Sequence, residues 1–442
     1  MIISGQVVTL QGVVAQQIEV DPAAGLITRL GLHLGAADWE FSGLIFPGFI
    51  DSHVHSREFA PPQQSDVPAW RRYQDHLMRE TWVAAARAAL QGGVTAWLDM
   101  PDHPEPPMCQ ATHTKKWTLM RDLPVTAFPA VAIGPNSEPV PGAPHQLVIG
   151  HSPSALTFAS ANEAAAVLAR YRGCHIIIPC KGYNEGGAAD GRSRACHTPE
   201  AQEIRTITTA LDWKDRFALN LHLAHISAAA SLETIIDYNR GKSADSRVTC
   251  DVTPHHLFFS TETLNQSDST IQDLLLTNPP LRSELDRRRL LSGLMDGDID
   301  LLASDHEPHT LTDKLRLHRC GVPHLDTMGG FVGWLLQVAG FTPVRIAECF
   351  SAVPAHIWRE VFPGHGQLAP GKRADITVLD PDVQTSVPFP GRAGLGAGRQ
   401  LCTRCGWSPF GGRELPGSIR AVFVGGDLRY RWPTEESALL ER

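Results

Sequence analysis

Two histidines one residue apart, His53 and His55, close the run Asp51-Ser52-His53-Val54-His55. Residues two apart on a strand face the same side, so both imidazoles can converge on one cation. A second run, Ala303-Ser304-Asp305-His306-Glu307-Pro308-His309, offers a carboxylate, Asp305, that can ligate the same metal or take a proton from its bound water. His222-Leu223-Ala224-His225 and Cys250-Asp251-Val252-Thr253-Pro254-His255-His256 add further imidazoles. Any one of these groups is more often a hydrogen-bonded structural residue than a ligand. Arriving together from several strand ends, they point to a bound metal and to metal-assisted chemistry.

Such convergence needs a scaffold that brings distant strand ends to one place. From Pro47 to about Pro354, short apolar runs alternate with helical patterns at 80–91, 161–171 and 199–211. The runs fall at 48–52, 94–100, 125–133, 154–159, 175–180, 219–225, 247–253 and 299–304. That count predicts an α/β chain folded as a (β/α)₈ barrel, whose chemistry lies at the C-terminal ends of its strands. His53 and His55 then end strand one, His225 strand six and Asp305 strand eight. Residues 1–45 and the tail from about 362 read as short strands and turns. The expectation is a barrel over 47–361 and a composite β-sandwich built from 1–46 with 362–442.

At 43% hydrophobic and 19% charged residues, the chain has enough apolar material for a large core, which excludes disorder. A formal charge of −8 with scattered Lys and Arg excludes a nucleic-acid binder and favours a small-molecule substrate. No eighteen-residue apolar stretch occurs, and MIISGQVVTL lacks a secretory pattern, so no membrane association and a cytoplasmic location are expected. The cysteines are odd in number and irregularly spaced, which suits reduced thiols. Cys402-x-x-Cys405 has no second pair and reads as two loop thiols rather than a zinc or redox site.

The segments PGFIDSHVHSRE, LDMPDHPEPP, RVTCDVTPHHLFFS, TNPPLR, DGDIDLLASDHEPH, GQLAPGKRADITVLDP and GWSPFGGRELPG resemble, in order, the cyclic amidohydrolases and among them dihydroorotase. The resemblance implies His53, His55, His225 and Asp305 as metal ligands. It also implies Arg57, Asn278 and His309 as contacts to a substrate carboxylate, and zinc-dependent, reversible hydrolysis of dihydroorotate to N-carbamoyl-aspartate in pyrimidine biosynthesis. Zinc lowers the pKa of its bound water to about 7 and polarises a carbonyl, which is what opening an unstrained ring amide needs. Asp305 would move the proton to the leaving nitrogen.

Three positions depart from the family's pattern. Asp102 stands in the Met-Pro-Asn run where the family has Asn, and a carboxylate there repels an anionic substrate unless paired to Arg57. Thr157 and Cys180 occupy the places of the carboxylated lysine of strand four and the histidine of strand five. Thr cannot form a carbamate, so about one zinc per chain is expected, with a second metal left open. Lys181 is the nearest substitute lysine and should face the side opposite Cys180. Cys180 reads either as a thiolate ligand or as a buried apolar residue. Two alternatives remain beside the dihydroorotase reading: a hydrolase of another, uncharged cyclic ureide, or an inactive structural partner of aspartate transcarbamoylase. Assembly as a homodimer or with that enzyme is the corresponding partner expectation.

Overall fold

The computed structural model describes residues 1–63, 65–149, 157–158, 160–181, 198–389 and 400–432. In the strands nearest the two termini, successive apolar residues face opposite sides and both sides are buried, as at Val7 and Val8, Ile45 and Phe46, Val378 and Leu379, and Ala421 and Val422. Seven strands, in the order Asp427–Arg431, Ser418–Val424, Ile376–Asp380, Trp39–Pro47, Ile2–Thr9, Gly12–Asp21 and Leu26–Gly31, form one sheet drawn from both ends of the chain. Ile2–Thr9 runs parallel to Trp39–Pro47, and the other pairings are antiparallel. One face holds Ile3, Val7, Ile18, Ile45, Ile376 and Phe423 in its own apolar cluster. The opposite face, with Val8, Phe46, Leu379, Ile419 and Val422, merges into the large cluster of the central domain. Among the described residues of the expected β-sandwich, 1–46 with 362–442, the strands form this seven-stranded sheet and a two-stranded ribbon of Thr385–Ser386 with Glu414–Leu415, and the central domain packs on one face of the larger sheet.

Two parallel sets of strands make up that central domain. Phe49–Val54, Val94–Asp99 and Thr126–Pro129 form one. Val131–Ala132, His145–Gln146, His175–Pro179, Asn220–Ala224, Thr249–Val252 and Leu301–Leu302 form the other. Thr126–Pro129 and Val131–Ala132 are one stave interrupted at Ala130, and a parallel bridge between Val54 and His306 joins the last stave to the first. Eight staves therefore close into a ring.

The fourth stave corrects the expectation. It is His145–Gln146, flanked in register by Val131–Ala132 and Ile176–Ile177, while Thr157–Phe158 pairs with Val148–Ile149 in a separate two-stranded ribbon. A stave that opens on His and Gln carries little of the β-branched signal by which strands are read, so neighbouring strands decide its place. Thr157 is thus displaced from the end of the fourth stave.

Small residues leave room in the bore, where Ala96, Ala130, Ala224 and Ala303 pack with Ile50, Leu98, Ile177 and Leu301. Trp358 joins this cluster, its indole N–H donating to Ser52 Oγ at 2.9 Å. Outside the ring lie the expected helices, observed at Trp82–Gln91, Ala161–Leu168 and Glu200–Phe217. Thr81 and Ser160 start the first two by accepting the backbone N–H groups of Ala84 and Glu163. Cys320 is disulfide-bonded, against the reduced-thiol expectation, while Cys405 and the other described cysteines apart from Cys320 carry no disulfide. Pairing depends on two Cα atoms lying within about 7 Å, which sequence spacing does not reveal. Among the described residues no helix is long and apolar enough to cross a membrane.

Candidate metal centre

Where staves turn into loops at one end of the ring, three residues adopt a backbone conformation that side chains disfavour. Arg57, His225 and Asp305 hold φ at 63°, 43° and 46°. Such left-handed positions cost a non-glycine residue about 1–3 kcal/mol and persist where surrounding bonds enforce them. The other non-glycine residues with positive φ, Ala218 and His318, simply end helices. At His225 the enforcing group is Asp251, whose Oδ1 accepts the His225 N–H at 2.6 Å while Oδ2 meets His222 Nε2 at 2.8 Å. Burial alone would raise the Asp251 carboxyl, but the His222 hydrogen bond and charge hold it below the usual value. Asp51 ties the first stave to the eighth by accepting the N–H groups of His53 at 3.2 Å and Ser304 at 3.0 Å.

These turns bring the predicted ligands together. His53, His225 and Asp305 present ligand atoms within 4.8 Å of one another, and so do His55, Asp305 and Glu307. Asp305 belongs to both groups, its Oδ1 lying 3.2 Å from His55 Nε2 and 3.4 Å from His53 Nε2. All five side chains are buried. Both ring nitrogens of His53 and of His225 lack a hydrogen-bond partner among the described residues. Buried polar nitrogens left unpaired are expensive, and a cluster of them beside a carboxylate has the donor set of a divalent metal site. Burial lowers His53 to about 4 and His225 to about 3, which leaves both imidazoles neutral with lone pairs free for a cation.

His55 differs from its partner. Its Nδ1 lies 2.5 Å from Asp102 Oδ1 while Nε2 faces Asp305. Burial opposes a charge on this ring, yet Asp102, Asp305 and Glu307 raise it to about 9. A carboxylate on one nitrogen and the ligand group on the other is the arrangement that fixes the tautomer of a metal-binding histidine. Asp102 also meets Arg57, with Oδ2 3.0 Å from a guanidinium nitrogen, and Glu307 approaches the same guanidinium at 3.4 Å. Arg57 is therefore flanked by two carboxylates, and the pairing foreseen for Asp102 is present.

Other expected site residues are distributed as follows. His309 Nε2 contacts Glu307 Oε2 at 3.1 Å, and its carbonyl accepts the Trp407 indole N–H at 2.6 Å. Asn278, on the loop after the seventh stave, accepts from the Thr198 hydroxyl at 3.4 Å. Cys180 is not brought to the metal group. It packs with Ile178, Ile207 and Cys250 in the outer cluster, its Sγ nearest the Ile178 carbonyl at 3.8 Å, and burial pushes its thiol well above the usual value. These surroundings favour the apolar reading over the thiolate ligand. The charge of Lys181, one residue on, acts on His53, His225, Asp102 and Glu307, as the alternation expected. Sequence reasoning gave Glu307 no role, although its position two residues after Asp305 was a signal that the two share a side.

A model of the Amidohydrolase family matches residues 44–122, the stretch that carries His53 and His55. Dihydroorotase from Pelotomaculum thermopropionicum is 30% identical over 433 residues, covering 91% of this chain and 91% of the relative. Dihydroorotase from Pyrococcus abyssi is 28% identical, over 87% of this chain and 83% of its own length. Among solved structures, the L-hydantoinase (dihydropyrimidinase) of Arthrobacter aurescens superposes with a TM-score of 0.81 at 21% identity, covering 97% of this chain and 96% of that one. A D-hydantoinase superposes at 0.77 with 17% identity, over 97% and 95%. At such identities these likenesses describe the fold.

Proposed function

Since the chain belongs to the amidohydrolase family, beside the dihydroorotases, and is a hydrolase of cyclic amides, we propose that it interconverts dihydroorotate and N-carbamoyl-aspartate with one zinc ion. The observation that carries this is the buried His53–His225–Asp305 group, with four unpartnered imidazole nitrogens, beside a guanidinium at the mouth of the ring. A zinc held by His53, His55, His225 and Asp305 would supply an acidified water and polarise the ring carbonyl. Asp305 accepts the proton of the attacking water and delivers it to the leaving ring nitrogen. Asp102 keeps His55 in the tautomer that aims Nε2 at the centre. Arg57, with His309 and Asn278, receives the substrate carboxylate. In the reverse direction Asp305 takes the proton from the ureido nitrogen as the ring closes.

One observation favours a second substrate class. Asp102 and Glu307 already neutralise Arg57, and an anion entering there must displace or share those contacts. A neutral cyclic ureide, such as a hydantoin, avoids that conflict. The deciding experiment assays dihydroorotate, carbamoyl-aspartate, dihydrouracil and hydantoin in parallel, beside elemental analysis of the purified chain. Turnover of dihydroorotate with about one zinc supports the proposal, and turnover of the neutral rings alone transfers it to the second class. A metal-free chain inert toward all four would sink both and leave a structural partner of aspartate transcarbamoylase.

A further inference from the structure

Strand alternation has its sharpest consequence at the end of the fifth stave. Ile176, Ile178 and Cys180 face the helices, whereas Ile177 lies in the bore with Ala224 and Ala303. The Cys180 N–H still donates to the Ala224 carbonyl at 3.2 Å, so the extended pairing persists through residue 180. Lys181 must therefore turn toward the mouth, at the level of His225. Its carbonyl accepts the Thr206 hydroxyl at 3.2 Å, which anchors its backbone to the Glu200–Phe217 helix. From there its side-chain charge acts on His53, His225, Asp102 and Glu307.

Charge bookkeeping shows what that cation does. Three carboxylates gather at the mouth, Asp305 and Glu307 buried and Asp102 partly buried, and Arg57 is engaged by Asp102 and Glu307. Asp305, shared by both possible ligand groups, lies against imidazoles instead of a permanent cation. We propose that Lys181, as a free ammonium, is a built-in second cation of this centre. It limits the site to one divalent ion by repelling a second, and it offers positive charge to the oxyanion that forms on the ring carbonyl. The first role rests on the metal site proposed above, and the second on the proposed hydrolase activity.

The test separates the two. Zinc affinity is measured by competition with a chromophoric chelator in the wild-type chain, Lys181→Met and Lys181→Arg, with no substrate present. Removing a like charge should tighten zinc about tenfold in Lys181→Met, while Lys181→Arg stays near wild type. Weaker zinc in both variants would make the lysine itself a ligand, as a carbamate, and overturn the proposal. Unchanged affinity in Lys181→Met would overturn it too, by showing that the charge does not reach the ion. With whichever ring the chain hydrolyses, Lys181→Met should lower kcat on the order of a hundredfold with KM nearly unchanged, and Lys181→Arg should recover part of it. Tightened zinc with wild-type kcat would leave the gatekeeping role and remove the oxyanion role.

Discussion

Asp102 does three things that its type alone does not separate. It accepts from His55 at 2.5 Å, pairs with Arg57 at 3.0 Å and adds negative charge where a substrate carboxylate would enter. An asparagine carbonyl can still accept from His55, so Asp102→Asn removes the charge while keeping the orientation. Selectivity for dihydroorotate over hydantoin, measured as the ratio of kcat/KM values, should rise about tenfold, or about 1.4 kcal/mol, in this variant. An unchanged ratio would mean that Arg57 does not receive the carboxylate. Arg57→Lys should not substitute for Arg57, because a single ammonium cannot meet two flanking carboxylates as a planar fork does. Its expected signature is a raised KM for dihydroorotate with zinc content intact.

At the scale of elements, the centre depends on loops that hold strained residues in place. Glu203, fully buried on the Glu200–Phe217 helix, accepts the backbone N–H groups of Ser227 at 2.8 Å and Ala228 at 3.3 Å, together with the Ser227 hydroxyl. It also pairs with Arg282 at 3.1 Å, and Arg282 donates to the Thr198 carbonyl at 2.8 Å. One carboxylate thus joins the loop after His225 to the loop that bears Asn278. Glu203→Ala leaves the guanidinium without its counter-ion and two backbone donors without an acceptor. It should cost about 3–5 kcal/mol in urea unfolding. Zinc retention should fall with it, since the loop that follows His225 loses its anchor at Ser227 and Ala228 while Asp251 alone still holds the turn. A variant as stable as wild type would show that the loops are held elsewhere.

For the whole molecule, buried histidines set the response to acid. His103, His113, His145, His324 and His365 are each less than a tenth exposed. Burial lowers all five, His145 to about 4 and His324 to about 3. In the unfolded chain these rings take a proton near pH 6.5, whereas in the folded chain burial delays it to lower pH. The unfolded state therefore binds more protons, and stability present above pH 6.5 is lost as the pH falls. Asp326, raised to about 6 by burial, opposes this in part, because it favours the folded state at lower pH. The net expectation is a cooperative acid unfolding near pH 5, with unfolding free energy falling by several kcal/mol per pH unit between 6 and 5. A flat profile over that interval would show the rings to be protonated in the folded state.

His53, His55 and Asp305 were legible in the sequence because strand alternation is local: residues two apart share a side whatever surrounds them. The eight-stave count was equally local, apart from the fourth stave, where His145 and Gln146 carry no strand signature of their own. Cys180 against Lys181 is a different case. The run His175-Ile-Ile-Ile-Pro-Cys180 is apolar on both sides, as a parallel strand buried by helices and bore must be, so its composition does not say which residues face inward. Only packing against Ala224 and Ala303 on one side, and Ile207 and Cys250 on the other, decides it. Likewise the joining of Arg57 to Asp102 and Glu307 brings together charges from three different stave ends. Alternation along one chain segment is determined by covalent geometry, whereas the pairing of charges across the mouth is determined by ring closure, which no single segment encodes.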